Sequence, residues 1–471
     1  MEQTLDTLII GAGTSGLAAL REVRKRTAQF VLVNEGPWGT TCARVGCMPS
    51  KALIEAANAF HRRHTLDTFG VRGADALSID IPAVLQRVRA LRDQFVAGVV
   101  ASTDGLGESA IDGRATLLGP RSVCIGDTVY NTRSIIIATG SRPRVPEDWL
   151  AFGDRILSTD TLFEQANLGP RIAVIGMGAI GVEISQALAR LGLQVAAFTT
   201  GATVAGLRDA ELNARMTTLL KQEMVLHSGA PAELREVPGG IEVTSGASRV
   251  VVDQVVVAMG RVPNIQHLGL ETLGVPLDKH GMPKVDPQTL QIGDLPVFLA
   301  GDANTQTPLL HEAADEGHIA GMNAMADKPQ HFVRRTPLAI VFSDPNVASV
   351  GQRIDQLVPG STITGAVDFD NQGRARMAQH NVGRLCVHAD RTTGQLLGAE
   401  LCAPDGEHLA HLLALAIQQR LTVHDLLGMP FYHPTLQEGL RTALRDASRQ
   451  LPEPRESDLA TCSALGVAAL E

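Results

Sequence analysis

Residues 4–16 read TLDTLIIGAGTSG: a short apolar run that opens directly into Gly11, Gly13 and Gly16 at GxGxxG spacing. Apolar residues then recur at helical spacing through Leu17, Leu20 and Val23, and a second apolar strand, Phe30 to Val33, stops just before Glu35. Each part has a physical reason. The glycines allow a tight turn and a close backbone approach to a pyrophosphate, and the helix N-terminus faces the phosphates. An acid about 20 residues on meets a ribose hydroxyl. Strand, turn, helix and acid together predict a parallel βαβ unit that binds a dinucleotide.

The pattern returns at residues 171–183, RIAVIGMGAIGVE, with Gly176, Gly178 and Gly181 between a strand over Ile172 to Ile175 and a helix running to about Leu191. Here the second strand, Gln194 to Phe198, arrives at Thr199, Thr200 and Gly201. There is neither an acid for the 2′-hydroxyl of NAD nor an Arg for the 2′-phosphate of NADP. NAD and NADP both stay open. A chain of 471 residues is too long for one core and predicts about three domains.

Between the two signatures lies GTTCARVGCMPSK, Gly39 to Lys51. In a regular helix Cys42 and Cys47 would stand roughly 8.6 Å apart at Cα, whereas a disulfide needs about 4.4 to 6.8 Å. A bridge therefore requires a distorted turn, which Gly46 permits, with Pro49 in the first turn of a following helix through Lys51. Two structural thiols are the alternative; two nucleotide signatures around a close cysteine pair favour a redox-active dithiol. The economical assembly is a flavin taking electrons from one partner and passing them to another.

The remaining stretches supply further candidates. Ala83 to Val100 reads as an Arg-rich helix with a solvated face, and Ser109 to Val129 alternates like strands. Residues 134–143, SIIIATGSRP, are a buried strand over Ile135 to Ile137 leading to Thr139 and Gly140, which fit either close cofactor approach or an ordinary strand exit. Residues 253–264, DQVVVAMGRVPN, and 295–304, LPVFLAGDAN, are strand-to-loop segments. Asp302 fits two roles equally: acceptor from a ribityl hydroxyl, or cap of the next helix. From Pro337 short strands precede two helices, and YHPTLQEGL (432–440) places His433 near Glu438, a possible general acid–base pair or a plain loop histidine. The tail from Gln450 has little periodicity and is expected to be mobile or to wrap a surface.

Composition excludes other classes. A net charge of -9 and an aromatic content of 3% argue against a nucleic-acid partner. No apolar run is long enough to span a membrane and no basic leader precedes the first strand, so a cytoplasmic location is expected. Cys124, Cys386, Cys402 and Cys462 show no zinc spacing, and no metal is expected.

In this order the motifs GAGTSG with Glu35, TCARVGCMPSK, ATGSRP, GMGAIGVE, GRVPN, AGDAN and HPTLQE resemble the class I pyridine nucleotide–disulfide oxidoreductases, most of all the dihydrolipoamide dehydrogenases. The resemblance runs to about Ala447. It implies an α/β fold of two Rossmann-like domains and a C-terminal α+β dimerisation domain. FAD binding falls to residues 1–145 and 265–336, NAD(P) binding to 146–264, and dimerisation to 337–471. It implies FAD held by Gly11, Gly13, Gly16 and Glu35, with Asp302 on the ribityl chain and Lys51 beside the flavin and paired to Glu183; Thr41, Thr139, Gly140 and Arg261 join the cofactor-binding set. Gly176, Gly178 and Gly181 would hold NAD or NADP. Cys47 would contact the flavin and Cys42 exchange with a dithiol such as dihydrolipoamide. His433, held by Glu438 and supplied by the other subunit of a homodimer, would be the base. A 2-oxo acid dehydrogenase-type complex is an implied partner. Departures point to an alternative, an NAD(P)H-dependent reductase of another disulfide, quinone or metal-containing substrate. They are Thr40 in the usual Gly-Gly-Thr-Cys, Arg44 for Asn, Ala179 for a larger residue and Thr199 for an acid.

Overall fold

The computed structural model describes residues 2–453, whose strands form five sheets. The first glycine triplet lies where expected, between β1 (Glu2–Ile10), α1 (Thr14–Val23) and β2 (Phe30–Asn34). Helices α2 (Thr41–Arg44), α3 (Cys47–His61) and α4 (Ile81–Ala101) follow, then β3 (Ala110–Asp112), β4 (Ala115–Gly119), β5 (Ser122–Ile125) and β6 (Thr128–Ile137). β1 pairs in parallel with β2 on one side and β6 on the other, so that Leu8, Ile9 and Ile10 are buried beside Val31 to Val33 and Ile135 to Ile137. β6 is longer than the apolar triplet suggests. Its first half, TVYNTR, pairs antiparallel with β5 and alternates in burial, which suits polar residues on one open face.

β7 (Ser141–Pro143) leads to the second unit: β8 (Ile156–Leu157), α5 (Thr159–Leu162), β9 (Arg171–Ile175), α6 (Ala179–Arg190), β10 (Gln194–Thr199), α7 (Ala210–Glu223) and β11 (Val225–Ser228). An antiparallel meander, β12 (Glu233–Val237), β13 (Gly240–Ser245) and β14 (Ser248–Val252), comes next and is not anticipated by the motif reading. β15 (Gln254–Val257) closes a parallel sheet in the order β11-β10-β9-β15-β8, and β16 (Arg261–Pro263) pairs back onto β7. The chain then returns to the first sheet, where β17 (Val297–Leu299) pairs in parallel with β6 and α8 (Leu310–Ala324) lies along α1.

The last unit is an antiparallel sheet, β18 (Leu338–Val341), β19 (Asn346–Gly351), β20 (Thr362–Asp368), β21 (Arg384–Asp390) and β22 (Leu396–Ala403), in the order β18-β19-β22-β21-β20. The short α9 (Gly373–Met377) precedes β21, and three helices rather than two follow β22: α10 (Gly406–Gln418), α11 (Val423–Leu427) and α12 (Gln437–Ser448). The extra one is a single turn closed by a Thr422–Asp425 capping box, too short to show a period. Leu385, Val387 and Ala389 bury one sheet face against the helices, while Cys386 and Cys402 point to the other, where Cys402 Sγ meets Met216 Sδ of α7 at 3.7 Å. Burial pushes these thiols up to about 11 and about 12, which suits inert packing. Cys462 and the tail beyond residue 453 lie outside the described residues. Among those described, no helix is long and apolar enough to cross a membrane, and no group of His, Cys, Asp and Glu could hold a metal ion.

Candidate active site

The two glycine triplets are superimposable in their sterics. A Cβ on Gly11 would fall 2.3 Å from Ala138 O and one on Gly16 1.8 Å from Gly11 O, whereas at Gly13 it would meet nothing within 4 Å. In the second triplet the values are 2.3 Å from Ala258 O for Gly176 and 1.7 Å from Gly176 O for Gly181, with Gly178 again open. Two glycines of each triplet thus permit internal packing, and the middle one leaves room for a ligand at an N-terminus that no side chain caps.

Beside the first triplet a cleft of about 470 Å³ is lined by Gly11, Asn34, Glu35, Arg114, Thr139 and Arg142, among others. Glu35 is exposed there, 3.8 Å from Arg114. The buried hydroxyls of Ser15 and Thr139 have no hydrogen-bond partner. Buried polar groups of this kind call for a partner, and uncapped helix, open Gly13 and orphaned hydroxyls together fit the pyrophosphate and ribose of FAD. Gly140, at φ 68°, turns the chain out of the strand end next to Thr139.

The dithiol is built by a broken helix. Thr40 caps α2 by accepting from Ala43 N (3.2 Å), and Thr41 begins it; α2 ends at Arg44, and α3 restarts at Cys47 with Pro49 in its first turn. Gly46 makes the break possible: a Cβ there would lie 3.1 Å from Thr41 O and 3.2 Å from Cys42 Cα. Both cysteines are thiols here, Cys42 half-buried and Cys47 exposed. Their effect on each other is asymmetric. Interaction with the Cys47 sulfur, aided by burial, drives the Cys42 thiol far up. The same interaction lowers Cys47 to about 6 against its own desolvation, with help from the Lys51 ammonium. Lys51 Nζ donates to both Glu183 oxygens, at 3.0 and 2.8 Å, so the expected pair is present.

Asp302 does not cap the next helix: α8 starts at Leu310, behind Leu309 as its cap. Instead Asp302 Oδ2 accepts from Ser141 Oγ at 2.7 Å. Arg261 braces this contact by donating to Ser141 Oγ (2.7 Å) and Ser141 O (2.6 Å), and stands 3.9 Å from Asp302 itself. Buried Glu316 of α8 holds the same turn, accepting from Gly301 N (2.7 Å) and Asn304 Nδ2 (2.7 Å). His433 is highly exposed, 79% at the side chain, and its Nδ1 lies 3.0 and 3.1 Å from the Glu438 oxygens. Glu438 also accepts from Thr435 N (3.1 Å), and the imidazole contact holds its carboxyl below the usual range. The pair therefore orients the ring and leaves Nε2 outward.

Several contributors escaped the motif reading. They are Ser15, Asn34 (whose Oδ1 accepts from Ala12 N at 3.0 Å), Ser141 and Glu316, the last three without a spacing signal. Ser15 alone was findable, as a hydroxyl inside GxGxxG. After β10 Thr199 Oγ1 accepts from Gly201 N (3.3 Å), which closes a turn without a charged side chain where the first fold has Glu35.

Residues 5–317 match the family model for pyridine nucleotide-disulphide oxidoreductases, and residues 338–444 match that family's dimerisation domain. The dihydrolipoyl dehydrogenase of Bacillus subtilis is 30% identical over 92% of this chain and 94% of its own. The mercuric reductase of Acidithiobacillus ferrooxidans is 29% identical over 96% and 84%. Among solved structures, the HOCl-induced flavoprotein disulfide reductase RclA of Escherichia coli, as its Cu(II) complex, superposes with a TM-score of 0.82 over 94% of this chain and 99% of that one, at 20% identity. LpdA of Mycobacterium tuberculosis does so at 0.81, with 25% identity over 94% and 99%.

Proposed function

The chain belongs to the class I pyridine nucleotide-disulphide oxidoreductases, FAD-dependent enzymes that use NAD(P), and from that premise we propose that it is a dihydrolipoamide dehydrogenase-type enzyme working as a homodimer. The observation that carries the choice of substrate is the complete His433–Glu438 pair. A base fixed through Nδ1 and open at Nε2 is what an incoming dithiol needs, because only its thiolate attacks a disulfide. On this reading residues 1–145 and 265–336 bind FAD, 146–264 bind the nicotinamide nucleotide, and 337–471 form the subunit interface through which His433 reaches the partner's dithiol.

Bound FAD and NAD(P) supply a two-electron path from dithiol to nicotinamide. The chain's own residues do the rest. His433 Nε2 takes a proton from one substrate thiol, and that sulfur attacks Cys42 Sγ in the oxidised enzyme. The Cys42–Cys47 bond breaks and Cys47 leaves as a thiolate, favoured by its low proton affinity and by Lys51. The second substrate sulfur gives up its proton as it displaces Cys42, whose sulfur leaves as a thiol by taking a proton back from His433; a cyclic disulfide is released and the enzyme keeps two more electrons. Two half-reactions through a stable enzyme form give ping-pong kinetics.

One observation favours a second reading. The Thr199–Gly201 turn holds no acid to repel a 2′-phosphate, which leaves room for an NADPH-driven reductase of another disulfide, a quinone or a metal ion. Anaerobic titration with dihydrolipoamide separates the two. A long-wavelength thiolate–flavin band that NAD or NADP discharges supports the first reading. Bleaching by NADPH or NADH with no response to dihydrolipoamide overturns it and supports the second. Glu438→Gln should cut dithiol turnover by about tenfold or more while sparing nucleotide-to-dye electron transfer.

A further inference from the structure

Helix α3 carries Cys47, then Lys51 one turn on, then Asn58 two turns beyond that, and α6 presents Glu183, Gln186 and Arg190 at matching helical spacing. The segment after β18, Phe342 to Asp344, lies along the same face of α6. Hydrogen bonds tie the three together in rungs. At the first rung Glu183 accepts from Lys51 and, through Oε1, from Phe342 N (2.8 Å). At the second, Gln186 accepts from Asp344 N (2.8 Å) and donates to Asp344 O (2.9 Å) and Glu223 Oε1 (2.9 Å). At the third, Arg190 Nη1 donates to Asn58 Oδ1 (2.6 Å) and Asp344 Oδ2 (2.8 Å), while Nε and Nη2 grip Glu223 at 2.7 and 2.9 Å. The Arg190 side chain is only 5% exposed.

We propose that Arg190 and Asp344 are positioning residues for the dithiol: they lock α6 in register on α3, and so set where Glu183 holds the Lys51 ammonium relative to Cys47. Lys51 and Asn58 lie on one rigid helix, Glu183 and Arg190 on another. A helix pair pinned at two points cannot slide or rotate without breaking buried charge-assisted bonds, which cost the most to lose. A Lys51–Glu183 pair alone would fix distance but not register. The charged groups that face Arg190 are Glu223 of α7 and Asp344. His61 of α3 also senses the guanidinium: burial first, and then that charge, lower the proton affinity of its imidazole. Those of the same chain facing Cys47 are Cys42, Lys51 and Glu183, and the reading above adds the partner's His433.

The inference rests on the reading of Cys47 as the flavin-side thiolate. Its test uses a Cys42→Ser background, where Cys47 is titrated by the long-wavelength flavin absorbance and, independently, by the pH dependence of iodoacetamide alkylation read by mass spectrometry. Arg190→Met and Asp344→Asn should each raise the Cys47 midpoint by about half a pH unit or more, with Arg190→Lys smaller. Adding Arg190→Met to Lys51→Met should give no further shift, since the effect passes through Lys51. An unmoved midpoint with lowered stability, or a shift that adds to that of Lys51→Met, overturns the proposal. If Arg190→Met does not fold, Asn58→Ala removes the α3 contact and leaves every charge in place; absence of any shift there overturns it equally. Lack of the absorbance band in the background protein refutes the flavin-side reading instead, and alkylation then still reports on the ladder.

Discussion

Replacing Gly16 by Ala separates packing from ligand binding in the first nucleotide fold. The new Cβ would lie 1.8 Å from Gly11 O, where ordinary contact begins at 3.4 Å, so α1 must retreat from the glycine turn by about 1.6 Å. The opposing atom is backbone and has no rotamer to yield, which puts the cost at the upper end of overpacking, about 3 kcal/mol. That is a large share of the roughly 5–15 kcal/mol by which domains are stable. Gly13→Ala is the control: nothing lies within 4 Å of its Cβ and its φ of -77° suits any residue, so stability should change by less than about 0.5 kcal/mol. Its methyl instead occupies the approach of the pyrophosphate. Urea unfolding of the flavin-free proteins, which removes the stabilisation that bound flavin adds, and the flavin content of the purified proteins should therefore part company: Gly16→Ala loses both, Gly13→Ala loses mainly flavin. Normal flavin content with an unchanged midpoint in Gly16→Ala, or a larger stability loss in Gly13→Ala, would refute the reasoning.

Two other outcomes follow from the geometry. Because the Cys47 proton affinity is lowered, its thiolate should be present above about pH 6 and lost below it. Lys51→Met should move that midpoint upward, and a downward or null shift in alkylation rate would contradict the assigned role of the ammonium. With a neutral turn at Thr199, wild-type binding of NADH and NADPH should agree within about tenfold by calorimetry. Thr199→Glu should then weaken NADPH relative to NADH by about tenfold or more through like-charge repulsion. A strong wild-type preference for NADH would remove the basis for the second reading of function.

Much of the fold is legible because its signals are local. Gly11, Gly16, Gly176 and Gly181 stand where the backbone closes on itself within a few residues, and such constraints survive in spacing alone. The break between α2 and α3 is legible for the same reason, since Gly46 and Pro49 restrict dihedrals on the spot. The β12–β14 meander was not legible: its short strands, ELREV, GIEVTS and SRVVV, carry no cofactor motif and little amphipathic contrast.

The sequence by itself determined the nucleotide folds, the cysteine pair, the His433–Glu438 spacing and, through their order, the family. Tertiary contacts alone show that Lys51 beside Cys47 is held by Glu183, that Asp302 answers to Ser141 and Arg261 rather than to α8, and that Arg190 shares a buried face with Glu183. Glycine and proline act on their own backbone, whereas a proton affinity or a buried ion pair depends on every charge and hydrogen-bond donor brought within a few ångströms. Lys51 and Glu183, Ser141 and Asp302, and Asn58 and Arg190 each meet from more than a hundred residues apart, and no spacing in the sequence records their meeting.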